Sequence, residues 1–153
     1  MVNLLIVYHS QGGNTQKMAE AVAAGAKEIS GVQVRVLPAM ETGPEDLTAC
    51  DGLLIGSPEY FGYMAGALKD LFDRTYESLR GQPRIFRKPY AVFISAGNDG
   101  SGCLLHIERI CSGFQFKKVQ PPVIAKGPIT EAVLEQCREL GQTLAAGCEA
   151  GIF

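Results

Sequence analysis

The residues best suited to hold a charged ligand lie near the N-terminus, directly after the apolar run Val2–Tyr8. They are Ser10, Gln11, Gly12, Gly13, Asn14 and Thr15. Backbone N–H groups, hydroxyls and flexible glycines at the predicted start of a helix form an arrangement that binds anions. The segment contains no lysine and lacks the G-x-G-x-x-G pattern, so it matches neither a P-loop nor a dinucleotide fingerprint. A single phosphate group fits it best, and an ordinary glycine-rich turn is the alternative.

A second segment places aromatic side chains directly after a predicted strand. It consists of Pro58, Glu59, Tyr60, Phe61 and Gly62, followed by Tyr63 and Met64. Polar turn residues are usual at such a strand end, so this cluster of rings indicates a platform against which a flat ligand packs. The alternative is that the rings cover the core or a subunit interface.

A third segment is rich in glycine and also follows a predicted strand. Its residues are Ser95, Ala96, Gly97, Asn98, Asp99 and Gly100. Glycines allow the backbone to approach a planar ligand closely, and the backbone N–H groups can then bond to the ligand's edge. A flexible surface loop is the alternative interpretation.

Strands and helices that alternate along the whole chain position these three segments. The hydrophobic pattern predicts strands at Val2–Tyr8, Val32–Leu37, Gly52–Gly56, Tyr90–Ser95 and Lys117–Ala125. It predicts helices at Asn14–Ser30, Pro44–Cys50, Met64–Tyr76, Gly102–Gly113 and Thr130–Ala150. This alternation indicates one α/β domain over residues 1–153, with a five-stranded parallel sheet between two helical layers. The three segments then share the carboxyl edge of the sheet, where such folds bind ligands.

Two details of the C-terminal third refine this prediction. Pro121 and Pro122 stand inside the fifth predicted strand, which indicates an edge position or an irregularity because proline donates no hydrogen bond. Thr130 is a candidate N-cap for the last helix.

Composition narrows the range of partners and locations. The formal net charge is -2 and no basic cluster stands out, so nucleic acid is not an expected partner. No apolar run is long enough for a membrane span, and residues 1–8 lack the features of a signal peptide. We therefore expect a cytoplasmic protein that does not associate with membranes.

The reactive side chains do not form a catalytic or metal-binding pattern. The five cysteines include no Cys-x-x-Cys pair, so we expect no metal site and interpret the cysteines as reduced core residues. No paired carboxylates and no nucleophile–base pair emerge, so hydrolysis has no support. A redox reaction carried by a cofactor needs no such pair.

Taken together, the three segments resemble those of the flavodoxin-like superfamily. The resemblance is closest to NAD(P)H:quinone oxidoreductases of the WrbA type and to related NADPH-dependent FMN reductases. Its most specific part is the stretch from Gly56 to Gly66, which is followed by the helix sequence Leu68 to Thr75. The resemblance implies a flavodoxin-like three-layer α/β/α sandwich with strand order 2-1-3-4-5, and FMN as the cofactor.

The resemblance also implies a role for each segment. The phosphate of FMN would be held by Ser10, Gln11, Gly13, Asn14 and Thr15. One side of the isoalloxazine ring would be lined by Glu59, Tyr60 and Phe61, and its pyrimidine edge would contact Ala96 to Gly100. Gly12 departs from the WrbA type, which often has an aromatic residue at this position near the nicotinamide.

The implied function is an FMN-binding oxidoreductase that passes electrons from NAD(P)H to a quinone or another small acceptor. The cofactor rather than a catalytic side chain would carry this chemistry. The alternatives are an electron carrier between redox proteins of the flavodoxin type, and a module that kept the fold without enzymatic activity. A homodimer is a further expectation from the family.

Overall fold

The computed structural model describes residues 1–153. Seven strands are present: β1 Val2–Tyr8, β2 Val32–Pro38, β3 Gly52–Tyr60, β4 Tyr63–Met64, β5 Pro89–Ala96, β6 Lys117–Lys118 and β7 Val123–Lys126. Five α-helices accompany them: α1 Asn14–Lys27, α2 Pro44–Ala49, α3 Gly66–Leu79, α4 Ser101–Gly113 and α5 Glu131–Glu149. A short 3-10 helix spans Ala39–Glu41.

The main sheet is parallel and has the predicted flavodoxin-like order. Its strands run β2-β1-β3-β5, and both β6 and β7 pair with the outer side of β5. The fifth predicted strand is therefore present in two pieces, which flank the Pro121–Pro122 irregularity. The irregularity predicted at these prolines is thus confirmed as a break in the strand, because the two prolines supply no N–H groups for the ladder.

The sequence did not predict the short strand β4. It pairs antiparallel with the end of β3, matching Tyr60 with Tyr63 and Glu59 with Met64. This hairpin extends β3 as far as Tyr60 and delays the start of α3 to Gly66, two residues after the predicted start.

Side chains alternate along the strands and build one core on each face of the sheet. Leu5, Leu53 and Val92 pack with the helices α3 and α4 on one face. The neighbouring residues Leu4 and Leu54 pack with α1 and α5 on the other. The three-layer α/β/α sandwich predicted from the sequence is thus present, and none of its helices has the length and apolar character required to cross a membrane.

The helices α1 and α5 approach each other through two glycines. A Cβ atom on Gly25 would lie 2.0 Å from the carbonyl oxygen of Arg138, and one on Gly141 would lie 2.0 Å from that of Val22. Each glycine therefore allows direct contact between the helix backbones. The N-terminus of α5 is fixed by Thr130, whose Oγ1 accepts a hydrogen bond from the N–H of Val133 at 3.2 Å, as predicted for an N-cap.

Candidate functional site

A cleft of about 490 Å³ opens at the carboxyl edge of the sheet. It lies where β1, β3 and β5 end. The strand order reverses at β1, because β2 lies on one side of it and β3 on the other. Ligands of open α/β sheets bind at such a switch point. The lining residues are Ser10, Gln11, Gly12, Asn14, Thr15, Pro58, Glu59, Tyr60, Ser95, Ala96, Gly97, Gly127 and Pro128.

One wall of the cleft is the N-terminus of α1. The N–H of Lys17 makes the first helical bond, to the carbonyl of Gly13, so the N–H groups of Asn14, Thr15 and Gln16 precede the hydrogen-bonded ladder. Gly13 occupies the N-cap position with φ +99° and contributes no capping side chain. The first turn contains no acidic residue. The helix therefore presents open donors and its positive end, which together suit an anion.

Ser10 shapes the loop before this helix. Its Oγ accepts a hydrogen bond from the N–H of Gly13 at 3.1 Å, which folds the loop back on itself. The glycine at the turn has the positive φ that other residues adopt only with strain. Gly12 is different, because its φ is not positive and no atom lies within 4 Å of an added Cβ, so it leaves open space in the cleft.

The second wall is the hairpin formed by β3 and β4. The two turn residues between Tyr60 and Tyr63 have positive φ, +52° at Phe61 and +72° at Gly62, which is the type I′ geometry of tight hairpins. Gly102 allows a close contact with this turn, because a Cβ at Gly102 would lie 2.2 Å from the carbonyl oxygen of Gly62. This contact connects the hairpin to the start of α4.

Buried polar groups hold the base of this hairpin. Ser57 is fully buried, and its hydroxyl donates to the carbonyl of Pro58 at 2.8 Å while accepting the N–H of Ala65 at 3.0 Å. The thiol of Cys103 lies 3.7 Å from the same Pro58 carbonyl. Burial raises the pKa of Cys103 to about 11, so the group is a neutral thiol and not a reactive thiolate.

Tyr60 connects the hairpin to the first loop. Its hydroxyl donates a hydrogen bond to Oε1 of Gln11 at 3.3 Å. The ring of His9 meets the Tyr60 ring edge-on, with centroids 6.3 Å apart. These contacts place an aromatic ring beside the anion-binding end of the cleft.

The third segment divides into a lining part and a structural part. Ser95, Ala96 and Gly97 line the cleft. Asp99 instead closes a turn at the start of α4, where its Oδ1 accepts hydrogen bonds from the N–H and the hydroxyl of Ser101 at 3.0 and 2.8 Å. These bonds hold the pKa of Asp99 below its usual value.

Eleven of the residues predicted for cofactor binding line the cleft together. The remaining six lie outside its lining: Gly13, Phe61, Gly62, Asn98, Asp99 and Gly100. Of these, Gly13, Gly62 and Gly100 provide backbone turns with positive φ, and Phe61 points its ring fully into solvent. The contribution of these three glycines in this structure is to shape the surrounding loops.

Sequence reasoning missed a fourth wall, formed by Gly127 and Pro128. Gly127 has φ +84°, and its N–H donates to the carbonyl of Ala96 at 2.8 Å. The available signal was the Gly-Pro pair after the fifth strand, because that strand ends at the same edge as the other three loops.

The residues present fit FMN by their chemistry. Open helix N–H groups and the hydroxyls of Ser10 and Thr15 match a phosphate, and the first turn of α1 contains no acidic residue. At the hairpin, Tyr60 offers an aromatic surface for a planar ring.

Comparisons with known proteins agree with this fit. Residues 2–130 match the family model described as NADPH-dependent FMN reductase. The chain is 33% identical over 161 residues to a flavodoxin from Aquifex aeolicus, covering 95% of this chain and 86% of that protein. It is 34% identical over 122 residues to an NAD(P)H dehydrogenase (quinone) from Acidithiobacillus ferrooxidans, covering 67% of this chain and 60% of that protein.

The fold has a close match among solved structures. A flavodoxin, WrbA-like protein from Agrobacterium tumefaciens superposes with a TM-score of 0.82 at 23% identity, covering 98% of this chain and 99% of that one. At this identity the match concerns the fold alone. On the family match over most of its length, the chain belongs to the NADPH-dependent FMN reductase family of flavodoxin-like, FMN-binding proteins.

Proposed function

We propose that the protein is an oxidoreductase that passes electrons from NAD(P)H through FMN to a quinone or another small acceptor. The observation that carries this proposal is the chemistry of the cleft at the switch point. It combines an anion-binding helix terminus with an aromatic hairpin, and the first turn of α1 has neither a capping side chain nor an acidic residue.

Each wall has a defined task in this proposal. The N-terminus of α1, with Ser10 and Thr15, binds the phosphate. Pro58, Glu59 and Tyr60 flank the ring, while the backbone of Ala96 and Gly97 approaches its edge. FMN, when bound, supplies hydride acceptance and electron transfer, so no catalytic side chain is required.

The charges around the cleft favour small-molecule partners. The loops and helix starts that form it carry Lys17, Glu59, Asp99, Lys126 and Glu131, which nearly balance. Docking of a redox protein is usually guided by a strong charge of one sign. A surface of mixed charge attracts a charged redox protein only weakly over long distances. A small electron donor or acceptor does not need such long-range attraction to reach the cleft.

Electron carriage between proteins is the second candidate, and one observation favours it. The relative that aligns with 95% of the chain is a flavodoxin. A carrier would accept electrons one at a time from a protein and would show negligible oxidation of NADH or NADPH.

Steady-state kinetics separate these two candidates. Protein loaded with FMN is mixed with NADPH or NADH and a soluble quinone, and free FMN at equal concentration serves as the control. We expect oxidation of one or both nucleotides well above the control rate. A rate equal to that of free FMN would reject the oxidoreductase and leave the carrier.

A further inference from the structure

Two hydroxyl groups from opposite walls meet inside the cleft. Thr15 stands in the first turn of α1, and Ser95 stands near the end of β5, eighty positions later in the chain. Their oxygen atoms are 2.8 Å apart. Both residues are buried, with 1% and 8% of their surface exposed, and both line the cleft.

This pair leaves one hydrogen without a protein acceptor. Each hydroxyl carries one hydrogen and accepts up to two bonds, so a single bond between them uses only one of the two hydrogens. Neither hydroxyl makes a second hydrogen bond within the protein. A buried donor left without an acceptor costs free energy, so the pair is suited to donate to a ligand in the cleft.

The position of Thr15 decides which hydroxyl faces the ligand's charge. Thr15 lies among the open N–H groups of Asn14 and Gln16 at the positive end of α1, the place where an anion binds. A phosphate is the strongest acceptor that FMN offers, and bonds to charged acceptors are about twice as strong as neutral ones. The Thr15 hydrogen therefore points to the phosphate, and Ser95 becomes the donor to Thr15.

We propose that Ser95 is a positioning residue that makes the cleft select FMN over riboflavin by orienting the Thr15 hydroxyl toward the phosphate. This inference rests on the proposed FMN site. It assigns Ser95 to the phosphate end of the ligand, although Ser95 immediately precedes the segment that the family resemblance relates to the ring.

The test compares the affinities for FMN and riboflavin, which differ only by the phosphate. Binding is followed by quenching of flavin fluorescence. Replacing Ser95→Ala is expected to weaken FMN binding roughly 3- to 10-fold, the effect of one net hydrogen bond, and to leave riboflavin binding unchanged. Thr75→Val is the matched control, because Thr75 is equally buried but bonds to the Leu71 carbonyl within α3.

Variants at Thr15 give an independent readout. Thr15→Ser keeps the hydroxyl and should preserve the preference for FMN. In a Thr15→Val background, Ser95→Ala should have no further effect on FMN affinity. Equal weakening of FMN and riboflavin by Ser95→Ala, or additive losses in the double variant, would overturn the inference. Failure of the unaltered protein to bind either flavin would instead overturn the proposed FMN site itself.

Discussion

Phe61 occupies the most unfavourable backbone position near the cleft. Its φ is +52°, in the left-handed region that bulky L-residues rarely adopt, and its side chain is fully exposed at 108% relative accessibility. Left-handed backbone costs an L-residue roughly 1–2 kcal/mol. The exposed ring has no packing within the chain that would offset this cost.

We therefore expect Phe61→Asn to stabilise the protein. Asparagine tolerates this conformation, and Asn-Gly is the preferred pair for a type I′ hairpin turn. The free energy of unfolding should rise by about 1 kcal/mol, which corresponds to a rise in Tm of about 2–4 °C for a chain of this size. Urea denaturation of the flavin-free protein measures the first quantity and calorimetry the second.

Phe86→Asn provides the control, because Phe86 is also exposed, at 57%, but has no positive φ. It should change stability little. A Phe61→Asn protein that is less stable than the unaltered protein, or no more stabilised than the control, would refute the assignment of strain to this turn.

Three further predictions concern stability. Gly141→Ala should lower the free energy of unfolding, measured by urea denaturation, by about 1–3 kcal/mol, because the new Cβ would collide with the Val22 carbonyl. Gly113→Ala is the control and should leave it unchanged, because the space around Gly113 is open. Lys88→Met should cost about 1–3 kcal/mol in the same assay, because the buried Lys88 ammonium donates to backbone carbonyls at the end of α2. The free energy of unfolding should fall above pH 9.0. Burial raises the pKa of Cys103 to about 11 and that of Cys137 to about 12. Above pH 9.0 the unfolded chain therefore loses thiol protons that the folded chain keeps. Denaturation in reductant at about pH 8 and about pH 10 should show this decline, at most about 1.4 kcal/mol per pH unit for each thiol, and a constant stability would contradict it.

The fold could be predicted because its signals are local and regular. Continuous apolar runs such as Val2–Tyr8 identify strands buried on both faces, and the helical periodicity between them requires crossover connections. The interruption near Pro121–Pro122 followed from proline chemistry. The hairpin β4 was not predictable in this way, because two residues show no periodicity and the Phe-Gly turn lacks the usual Asn-Gly signature.

The three segments of the site could be predicted from the sequence, but the side chains that face the cleft could be predicted only in part. Spacing after strands one, three and four located most of the cleft lining, since parallel strands end at one edge. Which members face the cleft depends on backbone conformation: Asp99 bonds to Ser101 at the start of α4, and Phe61 turns to solvent. The contact between Thr15 and Ser95 joins residues far apart in the chain, so it required the three-dimensional structure.

The proposed function depends on electron transfer from a pyridine nucleotide to FMN bound in this cleft. Under anaerobic conditions, protein loaded with FMN is mixed with NADPH, and the absorbance of oxidised flavin is followed by stopped flow. We expect rapid loss of this absorbance from protein-bound flavin, faster than from free FMN. Bound flavin that stays oxidised with NADPH and NADH, yet is reduced by dithionite, would contradict it.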